Sequence, residues 1–302
     1  MSPSTVTSSR ARKVNKARML VVDDEPDNLD LLYRTFRRHF NVLRAESGQE
    51  ALDILAEHGE VAVIISDQRM PEMKGTEFLS KTVPDFPDTV RIILTGFTDV
   101  EDLVEAINAG QVYRYITKPW DPDELKQVVE QAAKTYELLK QRGNAIKQSQ
   151  NQHLLVLTMA EIAQNVNDIE TALVAIAKGV QTVVGSKGCA VHLVSDNTLG
   201  NKMGVFGDTN TTLLKTDPLV TKAISDRKLQ YCVDAANDPD FSIQTAYSAA
   251  SIRAHFVAPV VFRNSVTAFI SLQWENPQQF PEATQNLIKL AAKQTGLTLA
   301  CL

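Results

Sequence analysis

The chain has 302 residues, 44% of them hydrophobic and 22% charged, and a formal net charge of -5. That length accommodates two domains with separate cores, and no apolar run reaches the roughly 18 residues of a membrane-spanning helix. The negative balance argues against nucleic acid as the main partner, while Cys189, Cys232 and Cys301 form no CxxC pair and no zinc-type spacing, as expected of buried thiols in a reducing cytoplasm.

Residues 1–16 are rich in Ser and Arg, and no acid precedes Asp23. Without the apolar segment of a secretory signal, they read as a disordered basic tail in the cytoplasm. Short apolar runs then alternate with amphipathic stretches. Strands are predicted at Met19–Val22, Val42–Ala45, Val61–Ser66, Arg91–Thr95 and Val112–Thr117, and helices at about 27–39, 49–58, 75–81, 99–109 and from Asp123. Three of the strands carry an unbroken apolar run rather than an alternating pattern, so both of their faces should be covered. Five βα units in series imply an α/β fold, a doubly wound five-stranded parallel sheet. In such sheets the site lies at the carboxyl ends of the strands.

The residues at those ends form one chemical set. Strand one ends in Asp23 and Asp24, strand three in Asp67, strand four in Thr95, and strand five in Lys118 followed by Pro119. Each alone reads as a helix cap or a solvated charge; together they read as a site. Clustered carboxylates without His or Cys point to a hard cation, magnesium by default. A magnesium ion beside an aspartate, a lysine and a hydroxyl suits phosphoryl transfer onto a carboxylate.

The motifs "VVDDEPDN", "VIISDQRMPEMKG", "IILTGF" and "YRYITKPW" occur in order and resemble those of response-regulator receiver domains, over about residues 17–137. The resemblance implies that Asp67 is the phosphoacceptor, and that Asp23, Asp24 and Asp67 hold Mg2+ with the backbone carbonyl of Arg69. It implies further that Lys118 binds the phosphoryl group, that Thr95 supplies the hydroxyl that moves toward it, and that Tyr115 is the aromatic switch residue. A cis bond before Pro119 is expected. Arg69 and Phe97, both large, would limit water access and lengthen the lifetime of the phosphoryl group. The implied partner is a sensor histidine kinase or phosphotransfer protein.

Past "KPWDPDELK" the helical pattern continues. Leu125, Val129, Ala132, Tyr136 and Leu139 follow a coiled-coil spacing, which continues through Gly143, Ile146, Gln150 and His153. Residues 138–153 are therefore expected to form a signalling helix that pairs in a homodimer, loosened near Gly143; a plain final helix with a flexible linker is the alternative.

From about 154 the pattern turns α+β: a helix over 154–183, strands at "CAVHLVS", "KMGVF", "LQYCV", "HFVAPVVF" and "VTAFISLQW", and a closing helix from Pro281. Arg263–Ser265 reads as a hairpin turn. Residues 154–302 resemble a GAF domain, a binding module with an antiparallel sheet, whose ligand here is unknown. A covalent bilin is not expected, because Ser242 stands near the position where bilin-binding members carry cysteine. His192, His255 and Tyr247 are candidate pocket residues. The whole reads as a response regulator with output through protein contact, without direct DNA binding. The alternatives are the regulatory part of a signalling enzyme (cyclase, phosphodiesterase or phosphatase) and a ligand sensor whose GAF pocket gates the receiver.

Overall fold

The computed structural model describes residues 16–96, 112–195 and 198–302. The chain divides into two compact units, Met1–Asn144 and Ala145–Leu302.

In the first unit, β1 (Arg18–Val22), β2 (Asn41–Ala45), β3 (Val63–Asp67), β4 (Val90–Thr95) and β5 (Arg114–Thr117) form a parallel sheet in the order β2-β1-β3-β4-β5. The unbroken apolar runs have the predicted cause. Met19 and Val21 join a core with Val63, Ile65 and Ile92 on one face, while Leu20 and Val22 join Ile64, Phe78 and Ile93 on the other. Each buried Leu, Ile or Val side chain contributes about 1.5–3 kcal/mol.

The helices α1 (Pro26–Phe36), α2 (Gly48–His58) and α3 (Gly75–Thr82) connect these strands. Pro26 opens α1, where its missing N–H has no helical partner to lose. Ser47 caps α2 by accepting the Glu50 N–H. The helix predicted at 99–109 lies outside the described residues, as do Phe97 and all but the last residue of the basic tail.

The fourth helix, α4, runs from Pro122 to Asn165 without a break at Gly143. Here the predicted seam is redistributed: Leu125, Val129 and Ala132 are buried in the core of the first unit, and Tyr136 packs partly buried against it. Leu139, Gly143 and Ile146 are exposed.

In the second unit the helix expected over 154–183 is two helices. After α4 the "VND" stretch breaks the pattern, and α5 (Ile169–Val184) restarts with Asp168 accepting the Thr171 N–H. Asn and Asp compete for backbone hydrogen bonds in this way and favour a break with a fresh cap. The strands β6 (Gly188–Ser195), β7 (Thr198–Gly207), β8 (Gln230–Cys232), β9 (Ala254–Phe262) and β10 (Ser265–Trp274) form an antiparallel sheet in the order β7-β6-β10-β9-β8. The β9–β10 turn places Arg263 and Asn264 at φ 45° and 67°, the positive pair that matches the strand twist in a tight hairpin.

One face of this sheet packs on the C-terminal part of α4, on α5 and on α8 (Glu282–Ala300). The other is covered by α6 (Pro218–Asp226) and α7 (Phe241–Ala249). Helix α6 was not foreseen, although "DPL" carries its start signal: Asp217 accepts the Leu219 N–H and Pro218 takes the first helical position.

Candidate functional site

The carboxyl ends of the parallel strands bring Asp23, Asp67 and Lys118 together. Lys118 Nζ stands 2.5 Å from Asp67 Oδ1 and 3.1 Å from Asp23 Oδ2. Both carboxylates are buried, whereas the lysine side chain is 26% exposed. Asp23 Oδ1 also accepts the Glu25 N–H at 3.0 Å, and Asn28 Nδ2 donates to both Asp23 oxygens at 3.1 and 3.2 Å. Asp67 Oδ2 accepts the Arg69 N–H at 2.8 Å. These contacts fix both carboxylates before anything binds.

The pair is unequal in burial, and its electrostatics follow. Burial pushes the Asp67 carboxyl above its ordinary range, and the hydrogen bond and charge of Lys118 offset this only in part. For Lys118, burial works against the ammonium, but the hydrogen bond and charge of Asp67, with Asp23 behind it, prevail and raise its pKa. The more buried partner is dominated by desolvation and the more exposed one by pairing.

The other predicted residues surround this centre. Thr95 is buried at the end of β4, donates to the Gly96 carbonyl at 3.1 Å, and accepts the Lys118 N–H on its own carbonyl at 2.7 Å. Tyr115, on β5 opposite Ile93, is 43% exposed. The Lys118–Pro119 bond is cis, as expected. Asp24 follows Asp23 but is exposed, and among the described residues no group of three or more His, Cys, Asp or Glu is arranged for a metal. Arg69 is exposed. Glu25 lies outside the set, at the N-cap position of α1 without a side-chain cap bond.

Gly75 closes the loop beyond Asp67. Its N–H donates to the Gln68 carbonyl at 3.1 Å, and a Cβ there would stand 2.1 Å from the Asp67 carbonyl oxygen. Only glycine allows the start of α3 to lie this near the strand end. Among the residues touching this centre, Asn28 is the one that sequence reading missed; its signal was a polar amide in the first turn of α1, which turns back toward Asp23.

In the second unit, Asp217, Tyr247, His255 and Ser271 are wholly buried and joined by hydrogen bonds. The Tyr247 hydroxyl lies 2.9 Å from both Asp217 oxygens and 2.7 Å from His255 Nδ1, and His255 Nε2 lies 2.7 Å from Ser271 Oγ. Tyr247 also lines a cavity of about 650 Å³ with Gln244, Ser248, Ile252 and Arg253. Of the other two candidates, His255 is wholly buried and does not line that cavity, and His192 stacks on Phe269 at 5.5 Å. The side chain of Ser242 lies outside the described ones. Cys189 and Cys232 are buried in β6 and β8.

Comparison with known proteins finds two domain families in the chain. The model of the response regulator receiver domain matches residues 19–130, and that of the GAF domain residues 166–300. A chemotaxis protein CheY homolog of Campylobacter jejuni is 37% identical over 117 residues, 37% of this chain and 89% of that protein. The hydrogenase transcriptional regulatory protein HoxA of Cupriavidus necator is 44% identical over 117 residues, 39% of this chain. The chain spans only 24% of HoxA's length. Among solved structures, an adenylate cyclase from Rhodopirellula baltica is similar, at 36% identity over 44% of this chain and 98% of that one, with a TM-score of 0.43. The strand order and the receiver-domain match define the first unit as a CheY-like receiver. The chain belongs to the two-component response regulators, as a receiver domain followed by a GAF domain.

Proposed function

We propose that the receiver is a phosphorylation switch in which Asp67 takes a phosphoryl group from a sensor histidine kinase or phosphotransfer protein. The observation that carries this reading is the placement of one ammonium, Lys118 Nζ, between two buried carboxylates, 2.5 Å from Asp67 and 3.1 Å from Asp23. An Asp67 oxygen attacks the phosphorus of a phosphohistidine, the P–N bond breaks, and its electron pair returns to the imidazole nitrogen. Lys118 then leaves the carboxylate for the phosphoryl oxygens. The Thr95 hydroxyl moves toward them, and the exposed Tyr115 ring turns inward behind it.

Magnesium fits this donor set. All the groups are oxygens, two buried carboxylates have a single ammonium between them, and magnesium is commonly held by one or two carboxylates with waters and phosphate. Asp23, Asp24, Asp67 and the Arg69 carbonyl would hold the ion, which when bound offsets charge on the phosphoryl oxygens.

The domains proposed are a receiver over 17–137, a signalling helix over 138–153 and a GAF domain over 154–302. The helix passes the change to the GAF domain, which serves as a sensory or dimerisation element in a homodimer with output through protein contact. Apolar side chains left exposed along α4, among them Leu138 and Ile146, support the dimer. The cavity beside Tyr247 favours a second reading, in which a small ligand there gates the receiver.

The test is incubation of the full chain with acetyl phosphate and magnesium, read by intact mass. The parent should gain one phosphoryl group and Asp67→Asn none; equal labelling of the two would overturn the assignment.

A further inference from the structure

The second unit carries twelve Lys and Arg against twelve Asp and Glu, yet four of those cations line one cleft. The cleft, of about 650 Å³, lies between the turn after α6, the β8–β9 edge of the sheet and α8. Arg227 and Lys228 stand on one side, and Lys289 and Lys293 on the other. Its lining includes no carboxylate, and among the described residues none of the four cations is in an ion pair. Lys289 and Lys293 are spaced i,i+4, a like-charge pair that by itself destabilises a helix. Arg227 ends α6 as its left-handed C-cap, at φ 55°, and its guanidinium donates a hydrogen bond to Asn264 at 3.2 Å. Two separate elements thus place positive charge on the same space, and the lysine pair does so at an electrostatic cost.

Between the cations lies an apolar platform. Tyr231 is 42% exposed and Val261 39% exposed, and both line the cleft. The Tyr231 ring stacks on Phe256, with centroids 5.3 Å apart and planes 14° apart, and meets Phe280 edge-on at 5.5 Å. Its position is therefore set by packing before any ligand arrives. Rigid aromatic surface beside clustered cations is the combination that holds a nucleobase by stacking and phosphates by charge, and the cleft has the volume of a small-molecule site. It shares no lining residue with the cavity beside Tyr247.

We propose that this cleft binds a free nucleoside polyphosphate, with the base against Tyr231 and the phosphates between Arg227–Lys228 and Lys289–Lys293. Four cations exceed what a single carboxylate or monophosphate needs, and the flat platform has no role for an inorganic anion.

The test is isothermal titration of the full chain with ATP in EDTA, beside tripolyphosphate and a short single-stranded oligonucleotide. ATP should bind saturably below about 1 mM, and the Lys289→Gln/Lys293→Gln double variant should weaken it by about tenfold or more. Tyr231→Leu should weaken ATP but leave tripolyphosphate within about twofold, because only the base loses its platform. Tyr231 packs on the core, so Arg227→Gln/Lys228→Gln, at the surface, provides a second charge variant that should act like the lysine pair. Absence of saturable binding by ATP, or equal ATP affinity in both charge variants and the parent, would refute the site. Tripolyphosphate binding as tightly as ATP would refute the base platform, and tighter binding of the oligonucleotide would refute a free nucleotide as the ligand.

Discussion

Lys118→Gln tests the receiver site through both stability and chemistry. In the parent, Lys118 Nζ contacts Asp67 at 2.5 Å and Asp23 at 3.1 Å, and both carboxylates are buried. Removing one partner of a buried ion pair costs about 3–5 kcal/mol. The lysine side chain is 26% exposed, so solvent screens part of that loss, and about 1–3 kcal/mol is expected. The assay is hydrogen exchange of the β1 and β3 amides, which reports on this unit apart from the GAF domain. Magnesium should restore more protection in the variant than in the parent, since a cation at the site then replaces the missing ammonium, and chelation should abolish that gain. Phosphorylation by acetyl phosphate should slow by about 100-fold, the usual loss when a positioned group that stabilises transition-state charge is deleted. Protection and labelling rate both within about twofold of the parent would refute the reading, because a solvated surface lysine would give that result.

Three further outcomes are expected. Gly75→Ala should destabilise the receiver by about 1–3 kcal/mol and slow labelling of Asp67, because the added Cβ would stand 2.1 Å from the Asp67 carbonyl oxygen; urea unfolding and the acetyl phosphate assay measure both. Burial pushes the Cys189 thiol up, and burial followed by the Asp238 contact pushes Cys232 up to about 12, so near pH 8.5 both stay protonated and unreactive. Iodoacetamide there should label the exposed Cys301 alone until urea is added, as peptide mapping would show. Tyr247→Phe removes a donor from the buried Asp217 carboxylate and should lower GAF stability by about 1.5–3 kcal/mol; a loss too small to measure by hydrogen exchange would mean that the network does not depend on the hydroxyl.

The parallel sheet was legible because its three central strands, β1, β3 and β4, are buried on both faces, which writes unbroken apolar runs into the sequence. The site was legible for a related reason: topology gathers the strand ends, so residues as distant in the chain as Asp23 and Lys118 can be placed together from strand positions alone. Asn28 escaped because it belongs to a helix, where a polar residue in the first turn ordinarily reads as solvated surface. Tyr247 and His255 were named as candidates, but their linkage to Asp217 and Ser271 escaped for a deeper reason. Its members lie on a helix cap, a helix and two strands, and nothing local to any of them specifies which strand face meets which helix.

Helix α4 shows where a periodic pattern can mislead. Leu125, Val129, Ala132, Tyr136 and Leu139 satisfy a coiled-coil spacing, yet Leu125, Val129 and Ala132 are buried in the receiver's own core. A spacing near 3.5 residues establishes that a helix has an apolar face; it does not identify the surface that covers it. Farther along, Leu155, Met159 and Ile162 are buried in the core of the GAF unit. The stretch left open to a second copy therefore runs from about 138 to 154, includes the exposed Leu138, Leu139, Ile146 and Leu154, and carries Gly143 and Gln150 at core positions. That is about two heptads, too little to hold two chains tightly by itself. In the proposed dimer, a seam this short lets two helix packings differ by only a few kcal/mol. A charge change at Asp67 could then shift the population between them without a change of fold.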